Sequence, residues 1–178
     1  VLLHICCGPC AIYPVEALRK EGFEVFGFFY NPNIHPYLEY LRRKDSVEKM
    51  AQALNLRMLW KDEYQLKNWL QMVAFREEVR CQLCYYLRLA ETARYARRGK
   101  FDFFTSTLLY SKQQNQELIK QIAETLAREQ KVKFLYKDFR EGWKEGIEKS
   151  KEIGLYRQQY CGCIYSEYDR YKRLKSIK

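Results

Sequence analysis

Five short apolar runs, at residues 1–5, 23–30, 56–60, 101–105 and 132–136, are separated by stretches whose apolar residues recur with helical spacing. A strand apolar on both faces must be covered on both faces, and a helix long enough to return the chain makes successive strands parallel. The alternation predicts an α/β protein: a Rossmann-like open parallel sheet of about five strands flanked by helices, with right-handed crossovers and a helical C-terminal part. Helices are expected over 11–20, 37–54, twice within 63–99 with a break near 75–79, over 112–130, and through most of 141–178 apart from 156–163. The expected strand order is 3-2-1-4-5, within one domain spanning residues 1–178. In such sheets ligands bind beyond the carboxyl ends of the strands, where the strand order reverses. That rule gathers Cys6, Cys7 and Cys10 after the first strand, Asn31 to His35 after the second, and Ser106 and Thr107 after the fourth.

The seven cysteines fall into three tight groups, Cys6-Cys7-Gly8-Pro9-Cys10, Cys81-x-x-Cys84 and Cys161-Gly162-Cys163. Adjacent cysteines are poorly placed to bridge each other, because Cα atoms one peptide apart sit closer than a disulfide prefers. Soft thiolates select iron–sulfur clusters, zinc or copper(I). For Cys6, Cys7, Cys10, Cys81 and Cys84 three readings stand: an iron–sulfur cluster, a structural zinc site, or a thiol redox enzyme. Two zinc knuckles would supply four thiols, and here a fifth is left over. Cys81 and Cys84, at i and i+3, are expected on one face near the start of a helix, where first-turn amides favour thiolate charge. Cys161 and Cys163 can close a small, strained and therefore labile disulfide, or act as further ligands, or stay reduced.

A formal charge of +10, from 32 Lys+Arg against 22 Asp+Glu, suits a polyanionic partner such as RNA. Arg94, Arg97, Arg98 and Lys100 at a helix end are candidate phosphate contacts, or simply complement the helix dipole. Tyr156, Arg157 and Gln158 offer stacking and hydrogen bonding to a nucleobase. No apolar run approaches the roughly 20 residues that cross a bilayer, and with no secretory signal the protein is expected in the cytoplasm, without a membrane partner. Of the two histidines, His4 lies inside a strand and reads as core. His35, between prolines at a strand exit, is the better site residue.

Taken together, His4-Ile5-Cys6-Cys7-Gly8-Pro9-Cys10, Asn31-Pro32-Asn33-Ile34-His35-Pro36, Glu39-Tyr40, Cys81-x-x-Cys84-Tyr85, Phe104-Thr105-Ser106-Thr107-Leu108 and Tyr156-Arg157-Gln158-Gln159-Tyr160-Cys161-Gly162-Cys163 resemble the cobalamin-independent epoxyqueuosine reductases of the QueH type. The likeness runs from Leu3 to about Ser166, with Gly8 standing where the family pattern has alanine. It implies reductive deoxygenation of the epoxide of epoxyqueuosine in tRNA to give queuosine. It further implies a [4Fe-4S] cluster held by Cys6, Cys7, Cys81 and Cys84, an additional iron ion beside it, and a redox-active disulfide at Cys161 and Cys163. Cys10, the surplus thiol, is the expected ligand of that second iron. Asn31, His35, Ser106, Thr107, Tyr156, Arg157 and Gln158 are the expected substrate contacts. The electron donor is not identified by the sequence.

Two rivals differ in chemistry. A tRNA sulfur transferase would carry a glycine- and serine-rich phosphate loop after the first strand, where this chain has cysteines and a proline. An RNA-binding module with structural zinc leaves both the fifth thiol and the separate Cys161/Cys163 pair unexplained.

Overall fold

A computed structural model describes residues 1–175; residues 176–178 of the expected C-terminal helical stretch lie outside the described residues. The apolar runs form β1 (Leu2–His4), β2 (Phe26–Phe29), β3 (Arg57–Trp60), β4 (Phe103–Ser106) and β5 (Lys133–Phe134). They make one sheet in the order β3-β2-β1-β4-β5, as expected, and every neighbouring pair is parallel. The strands are shorter than the runs. Ile5, Val25, Leu56 and Val132 lie past the strand ends yet remain buried, so the apolar signal outlasts the ladder.

The helices are α1 (Gly8–Lys20), α2 (Tyr37–Ala53), α3 (Leu66–Val73), α4 (Arg80–Arg98), α5 (Gln116–Gln130), α6 (Trp143–Glu152) and α7 (Ile164–Lys175). Right-handed crossovers explain their grouping. From β1 through β3 the chain moves one way along the sheet, so α1 and α2 share a face, and α6 packs on α1 there. The connection from β3 back to β4 reverses direction, which puts α4 on the other face, against β1, β4 and α5. The buried stripe of α4, Cys84, Tyr85, Arg88, Leu89, Thr92, Ala93 and Ala96, follows helical spacing. Within this core Phe28 of β2 stacks on Tyr95 of α4 at 4.5 Å between centroids.

The sequence-based start of the first helix, residue 11, is corrected to Gly8, with Cys7 at the N-cap. Proline is accommodated in a first helical turn because its missing N–H has no intrahelical partner there. Pro9 therefore opens α1, and Cys10 stands on the helix rather than in a loop. The approach of α1 to α2 is close: a Cβ added at Gly8 would lie 2.4 Å from the Ser46 carbonyl oxygen.

Three helices end alike. Asn55, Lys100 and Lys131 adopt left-handed backbone, with φ of 46°, 56° and 53°. The N–H of the following residue then reaches back to the carbonyl five positions earlier, Leu56 to Ala51, Phe101 to Ala96 and Val132 to Ala127. This bond satisfies carbonyls that the last turn leaves open. Phe75, with φ of 60°, is the fourth such non-glycine residue among those described and lies in no helix cap of this kind.

Candidate metal centre and active site

The carboxyl ends of β1, β2 and β4 carry, in turn, Cys6 and Cys7, the 31–36 loop, and Thr107. In a parallel sheet the helices begin at that same edge, so the first turns of α1 and α4 bring Cys10 and the Cys81/Cys84 pair there as well. The Sγ atoms of Cys6, Cys7 and Cys10 all lie within 4.8 Å of one another. Thr107 Oγ1 fixes the first of them, accepting from the Cys6 N–H at 3.1 Å and donating to Cys6 Sγ at 3.3 Å. Gln158 reaches in from the C-terminal loop, its Nε2 standing 2.9 Å from Cys7 Sγ and 3.4 Å from Cys10 Sγ.

The three thiols are electrostatically unequal. Hydrogen bonds from Cys10 and Cys7, with a further one from Thr107, hold the Cys6 thiol well below the ordinary thiol range despite burial. Burial pushes Cys7 up, and its thiol also donates to Cys6. Cys10 is raised because it donates to Cys6 and Cys7 and is buried beside them. A thiol whose ionised form is favoured by two neighbouring thiols makes with them a set of soft donors suited to a metal, which displaces their protons on binding.

The other four cysteines meet in a second place. Cys81, Cys84, Cys161 and Cys163 line one cavity of about 50 Å³ with Asn33, Trp69 and Arg80. Asn33 Oδ1, Trp69 Nε1 and Arg80 Nε are buried there without hydrogen-bond partners. Four soft donors lining a small void make a second candidate place for a thiolate-bound metal. All seven thiols are free. Burial pushes Cys84 up to about 12, against the opposing pull of Arg88, and burial also raises Cys81.

Arg88 joins the two groups. It is 2% exposed, donates to the Cys84 carbonyl at 3.1 Å and to Cys84 Sγ at 2.8 Å. It also lines a crevice of about 140 Å³ with Cys6, Cys10, Gln158 and Cys161. Gln114 borders both spaces, with Nε2 3.3 Å from Cys161 Sγ. Sequence reasoning missed both residues. Arg88 carried a signal: it is a full charge on the buried stripe of α4, one turn after Cys84.

The loop that delivers Gln158 and Cys161 is tied to α2. Arg43, itself buried, donates to the carbonyls of Cys161 at 2.7 Å and Tyr160 at 3.0 Å, while its Nε pairs with Glu39 at 2.7 Å. Tyr156 O–H donates to the other Glu39 oxygen at 2.6 Å. The His35 N–H donates to the Gly162 carbonyl at 2.8 Å and Tyr160 O–H to the His35 carbonyl at 2.5 Å. Gly162, between the two cysteines, has φ of 152°, open to glycine more readily than to other residues.

The expected substrate contacts divide by position. Gln158 lines the thiol crevice, and Arg157 is exposed in the same loop. Asn31 Nδ2 holds the Ile5 carbonyl at 2.9 Å, Ser106 Oγ accepts from the Leu108 N–H at 3.1 Å, and Thr107 holds Cys6. The His35 ring is buried against Tyr64 and Trp69 with both nitrogens unpartnered. His4, as expected, is core, its Nδ1 2.9 Å from Ser106 Oγ and its Nε2 3.1 Å from the Tyr30 carbonyl. Arg97 and Arg98 end α4, roughly 24 to 26 Å along the helix from Cys81 at about 1.5 Å per residue, Lys100 follows them, and Arg94 pairs with Glu91. That basic cluster is thus remote from the thiols.

Fold and site together define a thiol-rich α/β protein with three thiols placed to hold a metal at the strand ends. The sequence model described as Epoxyqueuosine reductase QueH matches residues 1–169. Proteins of that name from Dehalococcoides mccartyi and Thermotoga maritima are 35% and 36% identical to the chain, covering 99% of it in each case and 97% and 95% of their own lengths. The chain belongs to the epoxyqueuosine reductase QueH family of oxidoreductases. Among solved structures, a predicted subunit of tRNA methyltransferase from Methanocaldococcus jannaschii superimposes with a TM-score of 0.55 at 12% identity, over 85% of this chain and 76% of that one. At that identity the likeness concerns the fold alone. No helix among the described residues is long and apolar enough to cross a membrane.

Proposed function

We propose that the chain reduces the epoxide of epoxyqueuosine in tRNA to the cyclopentene of queuosine. The balance is two electrons and two protons in, one water out. The observation that carries this reading is the meeting of all three cysteine groups at the carboxyl edge of the sheet in a member of this family. An iron–sulfur cluster with an adjacent iron supplies single-electron transfer and Lewis acidity toward the epoxide oxygen when bound.

Cys6, Cys7, Cys81 and Cys84 hold a [4Fe-4S] cluster, and Cys10 holds the additional iron. Cys161 and Cys163 act as the redox pair: oxidation of the dithiol to a disulfide releases the two electrons and two protons that the reaction consumes. An external two-electron donor then reduces the disulfide. Gln158 and Arg157 meet the substrate, and Arg43 with Tyr156 and His35 sets the loop that carries them. The hydrogen bonds of Asn31, Ser106 and Thr107 support a shaping role, since each is engaged with the protein's own backbone or thiols.

A second reading of the ligands is favoured by the shared cavity of Cys81, Cys84, Cys161 and Cys163. In it these four hold the cluster, and Cys6, Cys7 and Cys10 hold the iron. Iron, labile sulfide and EPR spectra of anaerobically purified protein test the proposal, together with turnover on epoxyqueuosine-tRNA. Cys161→Ser or Cys163→Ser with iron retained and multiple turnover lost supports the redox pair. Iron loss in either variant establishes the four-cysteine cavity as the cluster site. Stoichiometric zinc without sulfide would overturn both. Affinity for tRNA is expected to fall steeply with salt, as neutralised phosphates release counterions.

A further inference from the structure

Phe75 is 100% exposed, and its backbone is one that phenylalanine rarely adopts. It is the third residue of a turn, Val73-Ala74-Phe75-Arg76, closed by the Arg76 N–H on the Val73 carbonyl at 2.9 Å. Ala74 has φ −55° and ψ 131°, and Phe75 has φ 60°, which together make a type II turn. Glycine or asparagine ordinarily fills that third position, because a bulky residue is crowded at positive φ. The Phe75 N–H donates to Glu77 Oε1 at 3.1 Å, which anchors the turn from the other side. A ring left wholly in water on a disfavoured backbone adds nothing to the fold. Backbone outliers of this kind concentrate where function over-determines them.

The turn connects two residues that line the four-thiol cavity, Trp69 before it and Arg80 after it. Trp69 and Val73 of α3 share a small core with Cys84 and Cys163, and Arg80, just beyond the turn, lines the cavity. Phe75 is two residues from Val73, within about 8 Å of chain.

We infer that Phe75 stacks on a nucleobase of the substrate tRNA next to the nucleotide presented to the thiols; the inference rests on the reaction proposed above. A base whose substituent must enter a buried crevice has to leave its stack, and the neighbour it uncovers loses a stacking partner. An exposed aromatic side chain replaces that partner for any base, since every base has a π-face. The net charge of +10 draws the polyanion to the protein as a whole, while beside the ring exposed Arg76 is offset by exposed Glu77 and Glu78, so the contact at Phe75 is stacking rather than charge. The ring tolerates water only until RNA covers it.

The test compares wild type, Phe75→Asn and Phe75→Tyr for tRNA affinity at one salt concentration, thermal midpoint and iron content. Asparagine suits the left-handed backbone and removes the ring. Phe75→Asn is expected to weaken tRNA binding about 5- to 150-fold, the range of one base stack, with midpoint and iron content no lower than wild type. Phe75→Tyr keeps the ring and binds as wild type. Unchanged affinity in Phe75→Asn overturns the inference, as does a fall in its midpoint or iron content, which would give the ring a structural role. Unchanged affinity with slower reduction by a protein reductant assigns Phe75 to the reductant's surface instead. Absence of tRNA binding by wild type refutes the proposed reaction itself.

Discussion

Arg88 and Cys84 face each other on successive turns of α4, with Nη2 2.8 Å from Sγ and both side chains buried. None of the ion pairs among the described residues gives Arg88 a carboxylate partner. A guanidinium enclosed in this way needs negative charge from somewhere else. Burial opposes its charge, yet Cys84, Cys161 and Cys6 together hold it above its ordinary range. Cys84, pushed up to about 12, is a neutral thiol near neutral pH, so Arg88 is placed to balance the charge that the thiolates acquire when they bind a metal.

Replacing it tests that role. Arg88→Met is expected to retain the fold but to shift the midpoint potential of the reconstituted centre downward, on the order of 100 mV, since a unit charge at about 4 Å is worth roughly 4 kcal/mol in a medium of intermediate dielectric. Arg88→Lys, which keeps the charge without the fork, is expected in between. Redox titration followed by EPR reads the shift. An unmoved potential in Arg88→Met would reduce the residue to packing.

A second prediction concerns the tie between α2 and the loop of Cys161. Arg43→Met leaves the Glu39 carboxylate buried without its cation, at a cost of about 3–5 kcal/mol. Arg43→Lys restores the charge but cannot span Glu39 and the two carbonyls at once, so it recovers only part of the loss. In both variants of metal-free protein, alkylation of Cys163 should accelerate as the loop detaches. Equal labelling rates would mean that the loop is held by its other bonds, to His35 and Ser166.

Gly8 gives a third. A methyl group 2.4 Å from the Ser46 carbonyl forces backbone to move, because neither partner is a flexible side-chain end. Gly8→Ala should cost about 1–3 kcal/mol of stability in urea unfolding. It should also lower iron retention, since Cys7 and Cys10 flank the residue that shifts. A variant as stable as wild type would show that these helices part easily.

How much of this was legible in the sequence follows from what each signal encodes. The strand order was readable because apolar runs buried on both faces admit few topologies once crossovers are right-handed. The start of α1 was not, because Pro9 reads equally as loop and as first turn. The grouping of Cys10 with Cys6 and Cys7 followed from sequence proximity. The gathering of Cys161 and Cys163 against Cys81 and Cys84 did not, since it depends on how the loop folds back over α2 through Arg43, a contact between residues 118 apart. Arg94 to Lys100 looked like a phosphate site on charge alone, and only the length and direction of α4 show that it lies away from the thiols.

The last prediction is a pH dependence with a definite sign. His4 is lowered to about 4 chiefly by burial, with Arg88 adding to the effect, and His35 is lowered to about 4 by burial alone. In the unfolded chain both titrate near 6.5. A base whose folded value is depressed is neutral in the native state while the unfolded chain takes up its proton. The stability it contributes is therefore complete above about pH 6.5 and is lost as pH falls toward 4. In the lower part of that window each histidine contributes a slope of about 1.4 kcal/mol per pH unit. The carboxylates of Asp62 and Glu91, held below their ordinary values by Lys44 and Tyr40 and by Arg94 and Lys61 against the opposing effect of burial, act mainly at more acid pH. The two histidines can be separated. His4 bonds through both ring nitrogens, whereas the His35 ring bonds through neither and packs between Tyr64 and Trp69. His35→Phe should thus preserve packing, remove a buried polar ring and roughly halve the slope of unfolding free energy between pH 6 and 4.5 in metal-free protein. A slope unchanged from wild type would mean that the His35 ring is reached by water and titrates as it does in the unfolded chain.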